Sequence, residues 1–578
     1  MLIRRKNTST PATNTNAGQL STNSAQTSKT KTRQLISMLL AIAVAFSLFV
    51  ALPQQAFAYS DETELAYIIN HFNPGNGGPS TGQLTAVANT TNHTVTVTGT
   101  VTGAKNTLQF EMAPGVTVIW KAYYLGSQVN GNMINITGPG CFEVQIGGTL
   151  LNSGTYDSIA AFDTTTTVKV NGGYVGALGT GCAIISAGKV EVNSGTVAST
   201  SGNTIKAYSC CPEDRPEITI NGGAVRCTES GNAIYTFVDY TKIIVNGGFV
   251  YSTGTKTNIG DMSALGTMNT AISARGRETR VTINGGCVES AAMQGIAVFS
   301  TSFRIFGGEV IATGYFGSAI VSNGVGTVAI LGGTVSASWF KPTIILYGYF
   351  DSLYIDNGIV SSYGPAPAIL SYGDDNEIEI DGGLVIAYGS GDAIINEGNY
   401  VEIRIYNGQI VANGTGDAIH NNAVNSAKIA IDHGTVCAKS GYAIYSEKAV
   451  VNIHGGFVFA YGTSILGEGQ VIRVKHALPN LLGNSMVCAW DQAAGKTTYI
   501  ENTTVHLVNN TGMAENTTWG KLGDNQYGIY FSNTSANTGF FPIDEIKVVP
   551  PKPLLPFTGI PDKSIPSLEV PPLSLLDK

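Results

Sequence analysis

The chain has 578 residues, of which 70 are glycine and only 12% are charged, with a formal net charge of −8. So dilute a negative balance argues against nucleic acid and an anionic membrane as partners. The charged share is about half the usual and glycine is well above it, a composition that suits a turn-rich solenoid growing along one axis.

Residues 1–34 are basic and polar, with Arg4, Arg5, Lys6, Lys29, Lys31 and Arg33 and no acid. LISMLLAIAVAFSLFVAL (35–52) follows, then PQQAFA with Ala56 and Ala58 in an A-x-A arrangement. This predicts a secretory signal over 1–58, cleaved near Ala58. An uncleaved N-terminal anchor is the alternative, since the apolar run reaches the lower edge of a membrane span. Either reading places the rest of the chain outside the cytoplasm, secreted or on the cell surface.

Residues 59–84 read as a capping helix and a linker. In DETELAYIIN (61–70) Asp61 suits the N-cap and Glu64 the capping-box position, while Leu65, Ile68 and Ile69 share a face. Short strands follow at TVTVTGTV (94–101), LQFEM (108–112), VTVIW (116–120) and NMINI (132–136), the expected first coils.

From Thr166 to Gly462 one phrase returns twelve times, most fully as VKVNGGYV (168–175), VTINGGCV (281–288) and IEIDGGLV (378–385). Its second glycine falls at 173, 195, 223, 248, 286, 308, 333, 358, 383, 408, 434 and 456, steps mostly near 25. Three residues before this mark stands Ile or Val every time, as in Val170, Ile283 and Ile380. Two after it stands Val or Ile, and four after it a small residue such as Ala387. Polar residues alternate between them, so the strands are half buried. A third apolar patch follows, as in Ala393-Ile394 and Ala418-Ile419. Three strands per period and a constant inward residue type predict an all-β fold: a right-handed parallel β-helix, three-sheeted, of ~25 residues per coil over 85–465. A flat sandwich of Asn-Gly hairpins would not keep that register.

Two steps break the rhythm. One is a long insertion at 252–269, the other SCCPEDRP (209–216). Residues 466–548 are strand-like but irregular and read as a C-terminal cap or small β region. Residues 549–578 carry eight prolines and read as an extended, disordered tail. Within it Leu555, Pro556, Phe557, Thr558 and Gly559 resemble the LPxTG signal by which sortases attach Gram-positive surface proteins to peptidoglycan. That signal continues with a membrane span and a basic tail, whereas residues 560–578 are short, polar and Pro-rich. A degenerate tail or a coincidence within a linker is therefore the alternative.

The repeat itself resembles the pectate-lyase-like β-helix superfamily, in particular the "INGGxVxAxG" arrays of exported bacterial surface and adhesin-like proteins. The resemblance implies the fold. It leaves activity open, because the superfamily spans lyases, glycoside hydrolases, adhesins and carbohydrate-binding proteins.

Chemistry-bearing residues are few. Asn171, Asn193, Asn221, Asn246 and Asn284 share the corner position two before the mark, which predicts a structural ladder of side-chain amides. Later coils put Asp356 and Asp381 at that corner. Asp392 and Asp417 also recur one coil apart, in GSGDAI and GTGDAI. Carboxylates about 5 Å apart repel unless a cation or proton separates them. Calcium is the candidate ion, with Asp374 and Asp375 as helpers; exposed turn carboxylates are the simpler reading. The same acids with Arg404 would be the catalytic set if the chain were a polysaccharide lyase or hydrolase. Arg404 is more simply the cross-strand partner of Glu379. His420, His433 and His454 fall at different phases, which argues against a metal site built from them. Tyr354, Tyr363, Tyr372, Tyr388 and Tyr406 form a candidate sugar platform. Of the eight cysteines, only Cys210 or Cys211 with Cys182 or Cys227 is worth considering as a bridge.

Together these features predict a non-enzymatic surface protein, a rod held at the cell envelope or released that contacts polysaccharide or a host or neighbouring cell; peptidoglycan attachment through the sorting-like motif is one of the two readings of the tail. A lyase or hydrolase and a calcium-dependent carbohydrate-binding module are the alternatives.

Overall fold

A computed structural model describes residues 59–75, 81–126, 131–209, 211–254 and 269–461, with the backbone of short strands between 472 and 544. The signal-like segment 1–58, insertion residues 255–268 and the tail with Leu555–Gly559 lie outside the described residues.

Residue pattern turns into coil directly. In the repeat containing Gly383, Glu377–Ile380, Leu384–Ala387 and Ile394–Asn396 are three strands separated by three corners. Each pairs in parallel with its equivalent one coil on: Ile380 with Ile405, Val385 with Ile410, Ile394 with Ile419. The third strands of successive coils form one sheet of 15 strands. First and second strands join at the first corner, where Thr167–Ala177 and Lys189–Ser199 run through unbroken. The chain is thus a parallel β-helix of about 25 residues per coil.

The inward columns are fully buried. Val170, Ile283, Ile380 and Ile453 are 0% exposed, as are Val175, Val288, Val385 and Val458. Each such side chain contributes about 1.5–3 kcal/mol of burial. Like stacks on like because the strands keep register while the corners absorb differences in coil length, as where Val245 pairs with Ile283 across the insertion, so one core runs continuously from Leu65 to Ile472. The mark glycine is required where the second strand begins. Gly383 has φ +75°, and a Cβ there would lie 2.6 Å from the Gly358 carbonyl oxygen of the preceding coil.

At the N-terminal end the helix Glu62–Asn70 closes the core, capped by Asp61, whose carboxylate accepts the N–H groups of Thr63 and Glu64. Leu65 and Ile69 are buried there. Glu62, rather than Glu64, turns inward and faces His93 at 3.4 Å. Strand Thr81–Asn89 pairs antiparallel with Thr94–Ala104, and parallel stacking starts from the latter. Asn70 makes two 2.8 Å bonds to the Ala86 backbone, occupying groups on that strand that another chain could pair with. At the other end parallel pairing continues to Met486–Asp491, past residue 465. Thr517–Gly523, Gln526–Phe531 and Phe540–Asp544 then form a small antiparallel sheet.

Candidate functional site

The three corners carry different chemistry. At the first, between first and second strands, the asparagine amides are linked end to end. Asn193 donates to Asn171, Asn221 to Asn193, Asn246 to Asn221 and Asn284 to Asn246, at 2.6–2.7 Å. Asp356 and Asp381 occupy this corner further on and are exposed. Tyr354 donates its hydroxyl to Asp381 at 3.3 Å.

Arg404 is engaged elsewhere, on the outer face of the first sheet. Its Nε lies 2.7 Å from Glu402, and its Nη1 lies 3.7 Å from Glu379 and 3.8 Å from Glu377. Hydrogen bonding by Arg404 holds the Glu402 carboxyl below its ordinary range, whereas burial and then Glu377 raise Glu379. Tyr406 accepts a 3.4 Å bond from Arg404. This is a charge ladder across coils, separate from the paired aspartates.

At the third corner Asp374 accepts the Asn399 backbone N–H at 2.7 Å and its side-chain amide at 3.1 Å. Asp375 is exposed, in left-handed geometry with φ +57°.

The second corner, before the third strand, is where the longer of the two breaks in regularity falls. The insertion at 252–269 leaves the repeat here, and here the aspartates stand in a column of Asn and Asp whose side chains accept the next coil's backbone. Asp157 takes the Cys182 N–H at 2.7 Å, Asn203 that of Asn232 at 3.1 Å, and Asn232 that of Thr270 at 3.0 Å. Asp392 Oδ1 takes the Asp417 N–H, and Asp417 Oδ1 that of Tyr442 at 2.7 Å. Asp417 is buried, so this is not a solvated turn carboxylate.

His420 projects outward from Ile419–Asn421 into the same place. Its Nδ1 lies 2.8 Å from Asp417 Oδ2 and 3.6 Å from Asp392 Oδ2. Nε2 lies 2.9 Å from Asn422 Oδ1. Burial raises the Asp392 carboxyl, and the Asp417 charge adds to this against the bound N–H. Burial opposes the His420 imidazolium, but the bond to Asp417 and the two carboxylate charges outweigh it and raise the ring. Among the described residues Asp392, Asp417 and His420 are the group whose ligand atoms converge. Asp356, Asp374, Asp375 and Asp381 stay at other corners, and Arg404 stays on the first sheet.

The five tyrosines do not share one face. Tyr354 and Tyr406 belong to the first sheet and its corner. Tyr363 and Tyr388 stand at the second corner and stack on each other, centroids 5.0 Å apart and planes 6° apart. Tyr372 stacks on Tyr347 at 5.2 Å and 4°. Each of these stacked rings gives one face to its neighbour, and Tyr372 keeps 45% of its exposure.

Open aromatic surface lies one step N-terminal along the second corner. Tyr315, Phe316, Trp339 and Phe340 come from two adjacent coils, and all four are more than a third exposed. Their rings are mutually tilted: Tyr315 meets Phe316 at 87°, Trp339 at 35° and Phe340 at 50°. The sequence signal was available, GYFG (314–317) followed by SWFK (338–341) at the same corner. Sequence reasoning also missed a buried polar column at the end of the third strand. There Asn396 donates to Asn421 at 2.7 Å and Asn421 to Ser446 at 2.9 Å. Of the cysteines considered for a bridge, Cys182 and Cys227 carry free thiols, and Cys210 lies outside the described residues.

Comparisons with protein-family models, curated proteins and solved structures give no match.

Proposed function

We propose that this chain is an exported, non-enzymatic surface protein: a β-helical rod, like the pectate-lyase-like arrays in its repeat, that contacts polysaccharide along its second corner. The observation that carries this reading is the aromatic set Tyr315, Phe316, Trp339 and Phe340. Large rings held on a rigid scaffold, tilted and open to solvent, offer apolar area at low entropic cost to the flat faces of sugars. The charge distribution supports contact over turnover. The lyase or hydrolase set of paired aspartates with Arg404 would have to converge for polysaccharide cleavage, and Arg404 is committed to the glutamate ladder away from Asp392 and Asp417.

The signal-like segment and the sorting-like pentapeptide support export and attachment to the cell wall. The mass of the mature protein recovered from cells tests the export step: cleavage near Ala58 supports it, and an intact leader in the cytosol defeats it. For binding, the mature chain is incubated with insoluble plant, bacterial and host glycans, with calcium and with chelator. Retention that falls at least about tenfold in a Tyr315→Ala, Trp339→Ala double variant is expected. Retention indifferent to that variant would overturn the site. New reducing ends or unsaturated product, lost when Asp392 and Asp417 are replaced by alanine, would overturn the non-enzymatic reading.

A further inference from the structure

We propose that Asp392, Asp417 and His420 form a binding site for a borderline divalent transition-metal ion such as zinc, held by His420 Nδ1 and one oxygen of each carboxylate. This inference stands apart from the polysaccharide reading and does not depend on it.

Geometry is the first support. A tetrahedral zinc ion with nitrogen and oxygen ligands at about 2.0–2.2 Å has ligand–ligand edges of about 3.3 Å. The two edges that meet at His420 Nδ1 are 2.8 Å and 3.6 Å, on either side of that value. All three ligand atoms lie within 4.8 Å of one another. Small side-chain adjustments suffice, because the three residues sit on adjacent coils whose spacing is fixed by the pairing of Ile394 with Ile419.

The surrounding bonds orient each ligand. Oδ1 of Asp392 and Oδ1 of Asp417 are taken by backbone N–H groups of the following coil, which leaves each Oδ2 turned toward the histidine. His420 Nε2 faces the Asn422 amide oxygen, an acceptor that favours the proton on Nε2. That tautomer puts the Nδ1 lone pair against the Asp417 carboxylate. Two lone pairs at 2.8 Å need a proton or a metal ion between them, and a divalent ion competes with the proton for that position. An outer-shell acceptor on the far ring nitrogen is the usual support of a metal-bound histidine.

Charge and hardness then select the ion. Two carboxylates and a neutral imidazole present two negative charges, matched by one divalent ion. Calcium prefers six to eight oxygens, whereas an imidazole nitrogen suits zinc and its neighbours. The sequence had suggested calcium at the aspartates alone; the histidine changes the chemistry. The side chains of Asp392, Asp417 and His420 retain 16%, 12% and 24% of their exposure, so solvent can complete the coordination.

The test is calorimetric titration of zinc chloride into the chelator-washed mature chain, with cobalt chloride as a spectroscopic probe. One equivalent of zinc should bind, and cobalt should give the intense visible absorption of a four-coordinate site. His420→Ala and Asp417→Asn should each weaken zinc by at least about tenfold. Asp417→Asn keeps an oxygen for the Tyr442 N–H, and circular dichroism verifies that both variants remain folded. An Asp356→Asn, Asp381→Asn double variant should bind as the parent does. Absence of stoichiometric zinc binding by the parent would overturn the proposal. So would parental affinity in both folded site variants, loss of binding in the double variant, or displacement of zinc by an equal concentration of calcium.

Discussion

Ser322 donates its hydroxyl to the buried carboxylate of Asp351, one coil further on, at 3.1 Å. Gly348 adds its N–H at 2.9 Å, yet burial pushes the Asp351 carboxyl up from 3.8 to about 6, against both bonds. A group raised on folding binds its proton more tightly in the folded chain. Its contribution to stability is therefore complete below about pH 4 and is lost as pH rises through about 6. Asn376, at the equivalent place one coil on, fits with neutral chemistry and donates to Ser371 at 3.1 Å. Asp351→Asn should accordingly stabilise the protein at pH 7.5 by about 1–3 kcal/mol and change little at pH 4. Thermal melts at the two pH values check this; a variant less stable than the parent at pH 7.5 would contradict it.

Ile380 is fully buried between Ile355 and Ile405. Ile380→Asp would place a carboxylate there without a partner, and Ile380→Ala would open a cavity costing about 2–5 kcal/mol. The aspartate variant should lose its β-type circular dichroism or become sensitive to protease near residue 380. A spectrum and melt identical to the parent would mean that the register is wrong.

Asn246 both donates to Asn221 and accepts from Asn284, each at 2.7 Å. Asn246→Ala removes both bonds but leaves the neighbouring amides reachable by water. A loss of about 1 kcal/mol is expected, within the range of ordinary hydrogen bonds. Denaturant melts of the single variant measure it, and a loss well beyond 2 kcal/mol would mean that the ladder holds the coils more tightly than its exposure implies.

Gly115 and Gly383 both have positive φ, +81° and +75°, but differ in their surroundings. A Cβ at Gly115 meets nothing within 4 Å, whereas at Gly383 it meets the Gly358 carbonyl oxygen at 2.6 Å. Gly115→Ala should cost about 1–2 kcal/mol, the left-handed penalty alone. Gly383→Ala adds a backbone clash of about 1–3 kcal/mol. Equal melting temperatures for the two variants would remove the stacked corner from the account.

The β-helix was legible in the sequence because its core is translationally repetitive. A residue such as Ile380 needs only to recur at a constant interval to land above Ile355, so periodicity and register are the same information. The corner asparagines were legible for that reason too: Asn246 and Asn284 fall at one phase, and the structure joins their side chains. Asp392 and Asp417 could likewise be paired by spacing. That His420 meets them could not be read, because its phase differs from theirs. The approach depends on how the chain turns from the second corner into the third strand. Ring orientation was equally hidden. Spacing placed Tyr363 one coil from Tyr388, but only packing around the corner decided that they stack face to face while Tyr315 and Trp339 stay open. The repeat period determines which residues are neighbours along the axis; side-chain direction at the corners, set by local turn geometry and non-local contacts, decides which of them can act together.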